Sequence, residues 1–348
     1  MADTSEVPVQ EDHLLLRALA RRPTPRPPVW FHRQAGRAMP RFSAIAQRLR
    51  FLEMCERPEV VAEVTLEPVE RCGVDAAILF ADILLIPRAM GAALDILPGV
   101  GPRVDPPIRS LADIERLRPQ EAEPALDYVL EGIRLTRRAL GERVPLIGFA
   151  GAPFTVAAYL IEGGHSADWR VTKAFLRTEP AAWDALLSAL AEVTARHLRA
   201  QVAAGAHVIE LFDSLAGVLS RDDWMRFAAP YTARIFAALT GTPTIHFATN
   251  NAHLLEAMSA AGGDALGIDY RVPLSTAWER GGGRAVQGNL DPTLLLTRGA
   301  PLREGVAALL AEADGRPGHI VNLGGGVLPG TSAEALRETV ALVHELTA

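Results

Sequence analysis

The sequence predicts an α/β protein that forms a single (β/α)8 barrel, the TIM barrel architecture. Short apolar, β-branched runs alternate with stretches of helical period along most of the 348 residues, a pattern typical of repeated β/α units. Polar or small residues also follow the ends of these runs. In a barrel such loops converge on the rim at the carboxyl ends of the strands, where active sites of this fold are built. A doubly wound open sheet is the alternative, since it has the same alternation.

Eight runs are predicted as strands, the number that this kind of barrel requires. They lie at residues 29–31, 76–80, 144–149, 207–212, 243–247, 265–269, 285–288 and 319–323. Helices are predicted at residues 126–140, 167–176, 181–204, 222–239 and 332–346. Gly141 and Gly205 stop two of these helices, and Thr331 with Glu334 has capping-box spacing at the start of the last one.

No internal repeat or interdomain linker divides the chain, so we predict one barrel domain over residues 13–348. Residues 1–12 are predicted to be a loosely ordered N-terminal arm. This arm is acidic and polar, unlike a secretory signal, and Cys55 and Cys72 are too few for a disulfide framework. We therefore expect a cytoplasmic protein.

The composition excludes some classes of partner. The apolar fraction is 49%, but no apolar run reaches the ~18 residues that a membrane span needs. The net charge of −6 disfavours nucleic acid or an anionic membrane as the main partner. An anionic small molecule would have to be attracted by a local cluster of arginines.

One such cluster follows the first predicted strand. Arg33, Gln34, Ala35, Gly36 and Arg37 place two guanidiniums four residues apart, separated by residues too small to block a ligand from the backbone. Guanidinium groups bind carboxylates bidentately and stay charged near neutral pH. Together with backbone N–H groups they could form a cradle for a polycarboxylate or phosphate. The alternative is a solvated basic turn.

Three further rim residues have both structural and functional interpretations. Asp82 lies between two apolar runs, so it is either a helix cap or arginine partner, or an ionised carboxylate that accepts N–H donors from a ligand. Tyr159 lies in an apolar helical stretch, where a packed tyrosine is the more common case. Ser214 follows a strand, but no nearby histidine supports a serine hydrolase.

No cofactor or metal is predicted. His246 and His253 are seven residues apart without an accompanying cysteine, so the spacing of a zinc site is absent. The glycine-rich segments 281–283 and 324–326 do not match a nucleotide-binding fingerprint.

The motifs in order closely resemble the uroporphyrinogen decarboxylase family, over roughly residues 12–346. Those that carry the resemblance are Pro28-Val29-Trp30 with Arg33-Gln-Ala-Gly-Arg37, Phe80-Ala-Asp-Ile-Leu84, Gly148-Phe-Ala-Gly-Ala-Pro-Phe154, Tyr159-Leu-Ile-Glu-Gly-Gly164, Phe212-Asp-Ser214 and Gln287-Gly-Asn-Leu-Asp-Pro292. The resemblance implies a (β/α)8 barrel, a homodimer and no cofactor. It also implies decarboxylation of the four acetate side chains of uroporphyrinogen III, a tetrapyrrole polycarboxylate, to give coproporphyrinogen III for haem and chlorophyll.

The resemblance also implies roles for the rim residues. Asp82 would accept hydrogen bonds from pyrrole N–H groups and stabilise positive charge in the transition state. Arg33 and Arg37 would bind carboxylates, one of them helping to deliver a proton, and Gln34, Ala35 and Gly36 would line the same turn. Tyr159 and Ser214 would hydrogen-bond substrate carboxylates.

Six positions depart from the family pattern. Gly325 replaces a substrate-contacting histidine, and the others are Ala38 for an aromatic, Ala46 for an arginine, Thr249 for a lysine, His32 for methionine and His165 for glycine. Each lost carboxylate contact costs ~1.5–3 kcal/mol. A working decarboxylase, a paralogue with altered or weakened activity and a non-catalytic tetrapyrrole-binding protein therefore all stay open, and so does compensation by His165 or His32.

Overall fold

The computed structural model describes residues 12–348. The predicted N-terminal arm lies outside the described residues except for Asp12, so it stays a prediction, as does the boundary of the barrel domain. Within the described range, no helix combines the length and apolar character that crossing a membrane requires.

A curled sheet of seven parallel strands forms the centre of the fold, in the order β1-β4-β5-β6-β7-β8-β9. A separate antiparallel hairpin, β2-β3, was not predicted. The strands are β1 (Ala77–Ile78), β2 (Leu94–Leu97), β3 (Gly101–Val104), β4 (Leu146–Gly151), β5 (Val208–Phe212), β6 (Thr244–Phe247), β7 (Ala265–Gly267), β8 (Ala285–Gln287) and β9 (His319–Ile320).

The eighth position of the barrel is filled by the segment around Val29. Trp30 N–H donates to the Val321 carbonyl (3.2 Å), and on the other side Asp75 N–H donates to the Val29 carbonyl (2.8 Å). This segment thus connects β9 to β1 and confirms the predicted (β/α)8 barrel. Only a single bridge forms here instead of the first predicted strand, because the next N–H groups, of Phe31 and His32, donate to side chains and not to the backbone of β9.

Helices surround the sheet. They are α1 (Leu14–Leu19), α2 (Pro40–Ala46), α3 (Phe51–Cys55), α4 (Pro58–Cys72), α5 (Leu85–Ala89), α6 (Leu111–Ile114), α7 (Ala122–Ala125), α8 (Asp127–Leu140), α9 (Pro153–Glu162), α10 (Arg170–Thr178), α11 (Pro180–Ala203), α12 (Arg221–Phe227), α13 (Ala229–Ala237), α14 (Leu255–Ala261), α15 (Leu274–Arg280), α16 (Leu294–Thr297), α17 (Gly299–Ala313) and α18 (Ala333–Leu346), with 3-10 turns at Pro119–Glu121 and Ala216–Val218.

Three helix predictions differ from the structure in detail. The predicted helix 167–176 is α10, which begins at Arg170 and ends at Thr178. The predicted helix 222–239 is two helices, α12 and α13, because Pro230 cannot supply an N–H and so begins a new helix. The last helix is capped by Ser332, whose hydroxyl accepts from Ala335 N–H, so the predicted capping box at Thr331 and Glu334 is wrong by one residue.

Candidate active site

Asp82 lies at the carboxyl end of β1, in the loop that leads to α5, and is half-buried. Its Oδ1 accepts the Leu84 N–H at 2.8 Å. Shielding from water raises the pKa of Asp82 to about 6, against the opposing effects of the Leu84 bond and the positive charge of Arg33. The loop packs closely on β4, where a Cβ at Gly151 would lie 2.9 Å from Ile83. Asp82 is therefore a rim carboxylate that still carries charge at neutral pH.

Arg33 and Arg37 lie on the loop after Val29, and both are exposed. Neither guanidinium has a hydrogen bond or ion pair with any of residues 12–348. Arg33 has a left-handed backbone, with φ of 63°, and it is close enough to Asp82 to influence the pKa of that carboxyl group. Both arginines are thus available to bind an anion.

Gln34 holds the arginine turn in place. Its side-chain oxygen accepts Phe31 N–H (3.0 Å) and its nitrogen donates to the Ala76 carbonyl (2.9 Å). The side chain is fully buried, so we assign Gln34 to positioning the loop and not to direct contact with a ligand. Ala35 and Gly36 follow it, half-buried. A Cβ at Gly36 would lie 3.2 Å from the Arg33 carbonyl, which explains a small residue there.

Tyr159 is brought to the same place by α9. Burial raises the pKa of Tyr159, the charge of Arg33 lowers it, and that of Asp82 raises it. The phenol is thus close to both charged groups, although the sequence alone favours a packed tyrosine. Arg33 and Asp82, from two βα loops, and Tyr159, from α9, form one cluster.

The glycine segment after β9 lies beside this cluster. A Cβ at Gly324 would collide with the backbone nitrogen of Tyr270, and one at Gly326 would lie 2.9 Å from Arg33 Cδ. Packing on the Tyr270 backbone therefore requires glycine at position 324, whereas an added Cβ at position 326 would displace the Arg33 side chain. Gly325 is different, because a Cβ there would meet only Pro292 at an ordinary 3.5 Å and its φ lies outside the left-handed region. A side chain could therefore be placed at Gly325 without strain.

Ser214 lies further round the rim, half-buried after β5. Its carbonyl accepts the Thr249 hydroxyl at 2.8 Å, so Thr249, where the family pattern has a lysine, ties two rim loops together. The neighbouring Asp213 accepts from Thr155 and Trp224. Burial raises the pKa of Asp213 to about 6, but both its oxygens are used by the fold. No hydrogen bond joins Ser214 directly to Arg33, Asp82 or Tyr159 within the described part of the chain.

Aromatic side chains form an apolar floor that sequence reasoning missed. Phe149 and Phe212 are half-buried and pack edge to face, with ring centroids 5.3 Å apart, and Phe247 lies 5.7 Å from Phe212. Each comes near the end of its strand. Together the three rings offer an apolar surface on which a ligand could pack. The sequence did contain a signal for this surface, since a phenylalanine occurs near the end of each of these three predicted strands.

The two unusual histidines occupy different environments. His165 is exposed, and its ring centroid lies 5.8 Å from that of Trp169, which in turn lies 5.3 Å from Tyr159. His32 is only 3% exposed and lies inside the barrel. Across residues 12–348, no three His, Cys, Asp or Glu side chains are grouped so that they could hold a metal ion.

Comparison with known proteins gives a consistent family. A model of the family "Uroporphyrinogen decarboxylase (URO-D)" matches residues 10–346. The chain is 50% identical to a uroporphyrinogen decarboxylase of Sorangium cellulosum, with 95% of each chain covered. It is 47% identical to one from Thermus thermophilus, over 96% of this chain and 98% of that one.

Solved structures agree on the fold. A methyltransferase from Methanosarcina mazei superposes with a TM-score of 0.79 at 22% identity, covering 97% of this chain and 99% of that one. At this identity the likeness concerns the fold alone.

Proposed function

Because the chain belongs to the uroporphyrinogen decarboxylase family, we propose that Asp82, Arg33 and Arg37 form the centre of its active site. The protein is a decarboxylase of haem biosynthesis. Its reaction converts the four acetate side chains of uroporphyrinogen III to methyl groups, giving coproporphyrinogen III. The observation that carries the site assignment is the cluster of Asp82, Tyr159 and the unpaired Arg33.

The charges suit this substrate. Uroporphyrinogen carries eight carboxylates, which a protein of net charge −6 would repel without a local positive site. Arg33 and Arg37 supply that site, and each can form two parallel hydrogen bonds with a carboxylate. Tyr159 and Ser214 would hydrogen-bond further carboxylates, while Phe149 and Phe212 would support the macrocycle.

Asp82 provides the electrostatic part of the chemistry. Direct loss of CO2 would leave an unstabilised carbanion on the side chain, whereas a pyrrole ring protonated beside the acetate accepts the electron pair of the breaking C–C bond. One proton is consumed for each CO2 released, and the acetate becomes a methyl. The Asp82 carboxylate would accept pyrrole N–H groups and stabilise the cationic ring, which lowers the barrier.

The proposal is tested by incubating the protein with uroporphyrinogen III under anaerobic conditions and separating products by their number of carboxyl groups. Hepta- to tetracarboxylic products should form in sequence, at rates that depend on Asp82 and the two arginines. If replacing Asp82, Arg33 and Arg37 one at a time leaves turnover unchanged in every case, the site assignment is contradicted.

Gly325 favours a second candidate, a family member with weakened or more permissive activity. It leaves open space next to Gly326, which packs on Arg33, at the position where the resemblance places a substrate-contacting histidine. Neither Gly324 nor Gly326 has a side chain to replace that contact.

We expect Gly325→His to lower KM or raise kcat by about tenfold or more, since one added hydrogen bond to a charged group is worth about 1.5–3 kcal/mol. Steady-state kinetics should compare the parent with Gly325→His and His165→Ala. If Gly325→His folds without any gain in kcat or KM while His165→Ala loses most of its activity, His165 compensates and the open-space interpretation is wrong. If neither variant differs from the parent in kcat or KM, the substrate does not contact the part of the rim around Gly325.

The raised pKa of Asp82 predicts a pH dependence. Since kcat/KM reports ionisations of the free enzyme, it should fall as the pH decreases through about 6 and Asp82 becomes neutral. The limiting decrease is about tenfold per pH unit for one proton. The measurement is kcat/KM between pH 5 and 8, and the same inflection in Asp82→Asn would rule out Asp82 as its source.

Two further properties belong to the proposal, the first from the family resemblance and the second from the low cysteine content. We propose that the protein is a homodimer and that it acts in the cytoplasm.

A further inference from the structure

A buried polar cluster lies inside the barrel beneath the site. His32 Nε2 is 2.8 Å from Glu210 Oε1, and Gln287 Nε2 is 2.9 Å from the same oxygen and 3.0 Å from His32 Nε2. The three residues are at most 3% exposed. Glu210 and Gln287 come from β5 and β8, while His32 directly precedes Arg33. The sequence prediction did not connect these three residues.

The second ring nitrogen of His32 and its backbone form hydrogen bonds with the glycine segment of the site. Nδ1 lies 3.2 Å from the Gly325 carbonyl, and because a carbonyl only accepts, Nδ1 carries a proton and donates. The backbone adds two more bonds, from His32 N–H to Asn322 Oδ1 (3.0 Å) and from Val327 N–H to the His32 carbonyl (3.0 Å). His32 thus holds residues 322–327 at three points.

The proton count of the pair follows from these contacts. With Nδ1 protonated, a single proton lies between His32 Nε2 and Glu210 Oε1, on one atom or the other. The pair is neutral overall in both cases, so no net charge is buried. Gln287 donates to the carboxylate as a second partner.

This cluster is costly for stability. Glu210 Oε2 and Gln287 Oε1 are buried without any hydrogen-bond partner in the described part of the protein. Buried polar atoms of native proteins are nearly always paired, and apolar residues in this place would avoid the cost. A role in the site would explain why the cluster is there.

The polar cluster can influence the site through the position of the Arg33 side chain. Its Cδ lies against Gly326, as the 2.9 Å approach of an added Cβ shows, and its backbone follows directly from His32. A fixed 322–327 segment therefore limits where the guanidinium can lie. Neither ring nitrogen of His32 is available to substrate, because both face protein groups.

We propose that His32 is a positioning residue that orients Arg33 for the substrate carboxylate by tethering the glycine segment through its Nδ1–H. In this way a histidine inside the barrel offsets part of what Gly325 lacks at the rim. The inference rests on the proposed function, because its effect on substrate requires that Arg33 bind it.

Two double variants test the tether without leaving a buried charge. In His32→Asn with Glu210→Gln, the asparagine amide nitrogen lies near the position of Nδ1 and can still donate to Gly325. In His32→Met with Glu210→Gln, the volume is similar but that donor is lost. We expect KM for uroporphyrinogen III to be about tenfold higher in the methionine variant than in the asparagine variant. The ratio of their kcat values should stay near one, since Arg33 binds substrate and transition state alike.

His197→Gln, which changes a buried histidine on α11, is the control and should keep the parental KM. Equal KM values in the two double variants would overturn the proposal.

Amide hydrogen exchange distinguishes failure of this proposal from failure of the proposed function, because it can be measured without turnover. Exchange at Gly326 and Val327 should be faster in the methionine variant, and equal exchange would also overturn the tether. Absence of turnover by the parent would instead contradict the proposed function.

Discussion

Asp82→Asn should slow decarboxylation of uroporphyrinogen III on the order of 10²-fold or more, while the protein stays folded. Asparagine keeps the shape of the side chain and one oxygen for the Leu84 N–H, but it removes the charge that would stabilise a cationic pyrrole. Removing a single preorganised electrostatic contact of this kind typically costs 10²–10³ in kcat. The measurement is the single-turnover rate of the first decarboxylation at saturating enzyme.

Stability distinguishes this loss from misfolding. The pKa of Asp82 is raised from its ordinary 3.8 to about 6 in the folded protein, so between these values the folded state binds more protons than the unfolded state. The contribution of Asp82 to stability is therefore full below pH 3.8 and is lost as the pH rises through 6. Asn cannot ionise, so the variant should be at least as stable as the parent at pH 7.

Asp264→Asn is the matched control. Asp264 lies at the amino end of β7, where its carboxylate accepts from Thr244, so the same charge is removed from the opposite end of the barrel. Its turnover should remain near that of the parent. Near-normal turnover in Asp82→Asn, or equal losses in both variants, would show that Asp82 is not the electrostatic centre.

Arg33→Lys and Arg37→Lys should each lower kcat/KM by roughly ten- to 150-fold. Lysine keeps the charge but loses the planar group that holds a carboxylate through two hydrogen bonds. Such a charge-assisted contact is worth about 1.5–3 kcal/mol. Binding of the oxidised substrate, uroporphyrin, should weaken in parallel, measured by quenching of its fluorescence.

Arg41→Lys provides the comparison for both arginine variants. Arg41 lies four residues further along and pairs with Glu70 at 2.7 Å, so its replacement should leave uroporphyrin affinity unchanged. If both Arg33→Lys and Arg37→Lys bind uroporphyrin like the parent, these arginines do not form a carboxylate cradle.

The barrel could be predicted because its strands are mostly apolar on both faces and are separated by helices with a clear period. Seven of the eight predicted runs contain strands of the sheet, and the first contains the bridge at Val29. The sequence analysis missed the hairpin formed by Leu94–Leu97 and Gly101–Val104. This hairpin lies outside the repeated β/α pattern, and Pro98 and Gly99 interrupt the alternation of apolar and polar residues that indicates strands. Pro230 was the signal that should have divided the predicted helix 222–239.

The site was predicted in part. The rule that βα loops meet at one rim was enough to group Asp82 with Arg33, since it depends on topology and not on side-chain detail. Tyr159 joined this group only through the family resemblance, because the residues alone favour a packed tyrosine. The role of Gln34 could not be predicted, because it depends on which backbone atoms its amide reaches. The same is true of His32 and Glu210, which are 178 residues apart in the chain and meet only inside the closed barrel.

The most direct test of the site assignment is a crystal structure of the protein grown anaerobically with coproporphyrinogen III. Pyrrole N–H groups should lie ~2.7–3.2 Å from the Asp82 carboxylate, and propionates should pair with Arg33 and Arg37 above Phe149 and Phe212. A macrocycle bound elsewhere, or one in the cleft with no contact to Asp82, would contradict it.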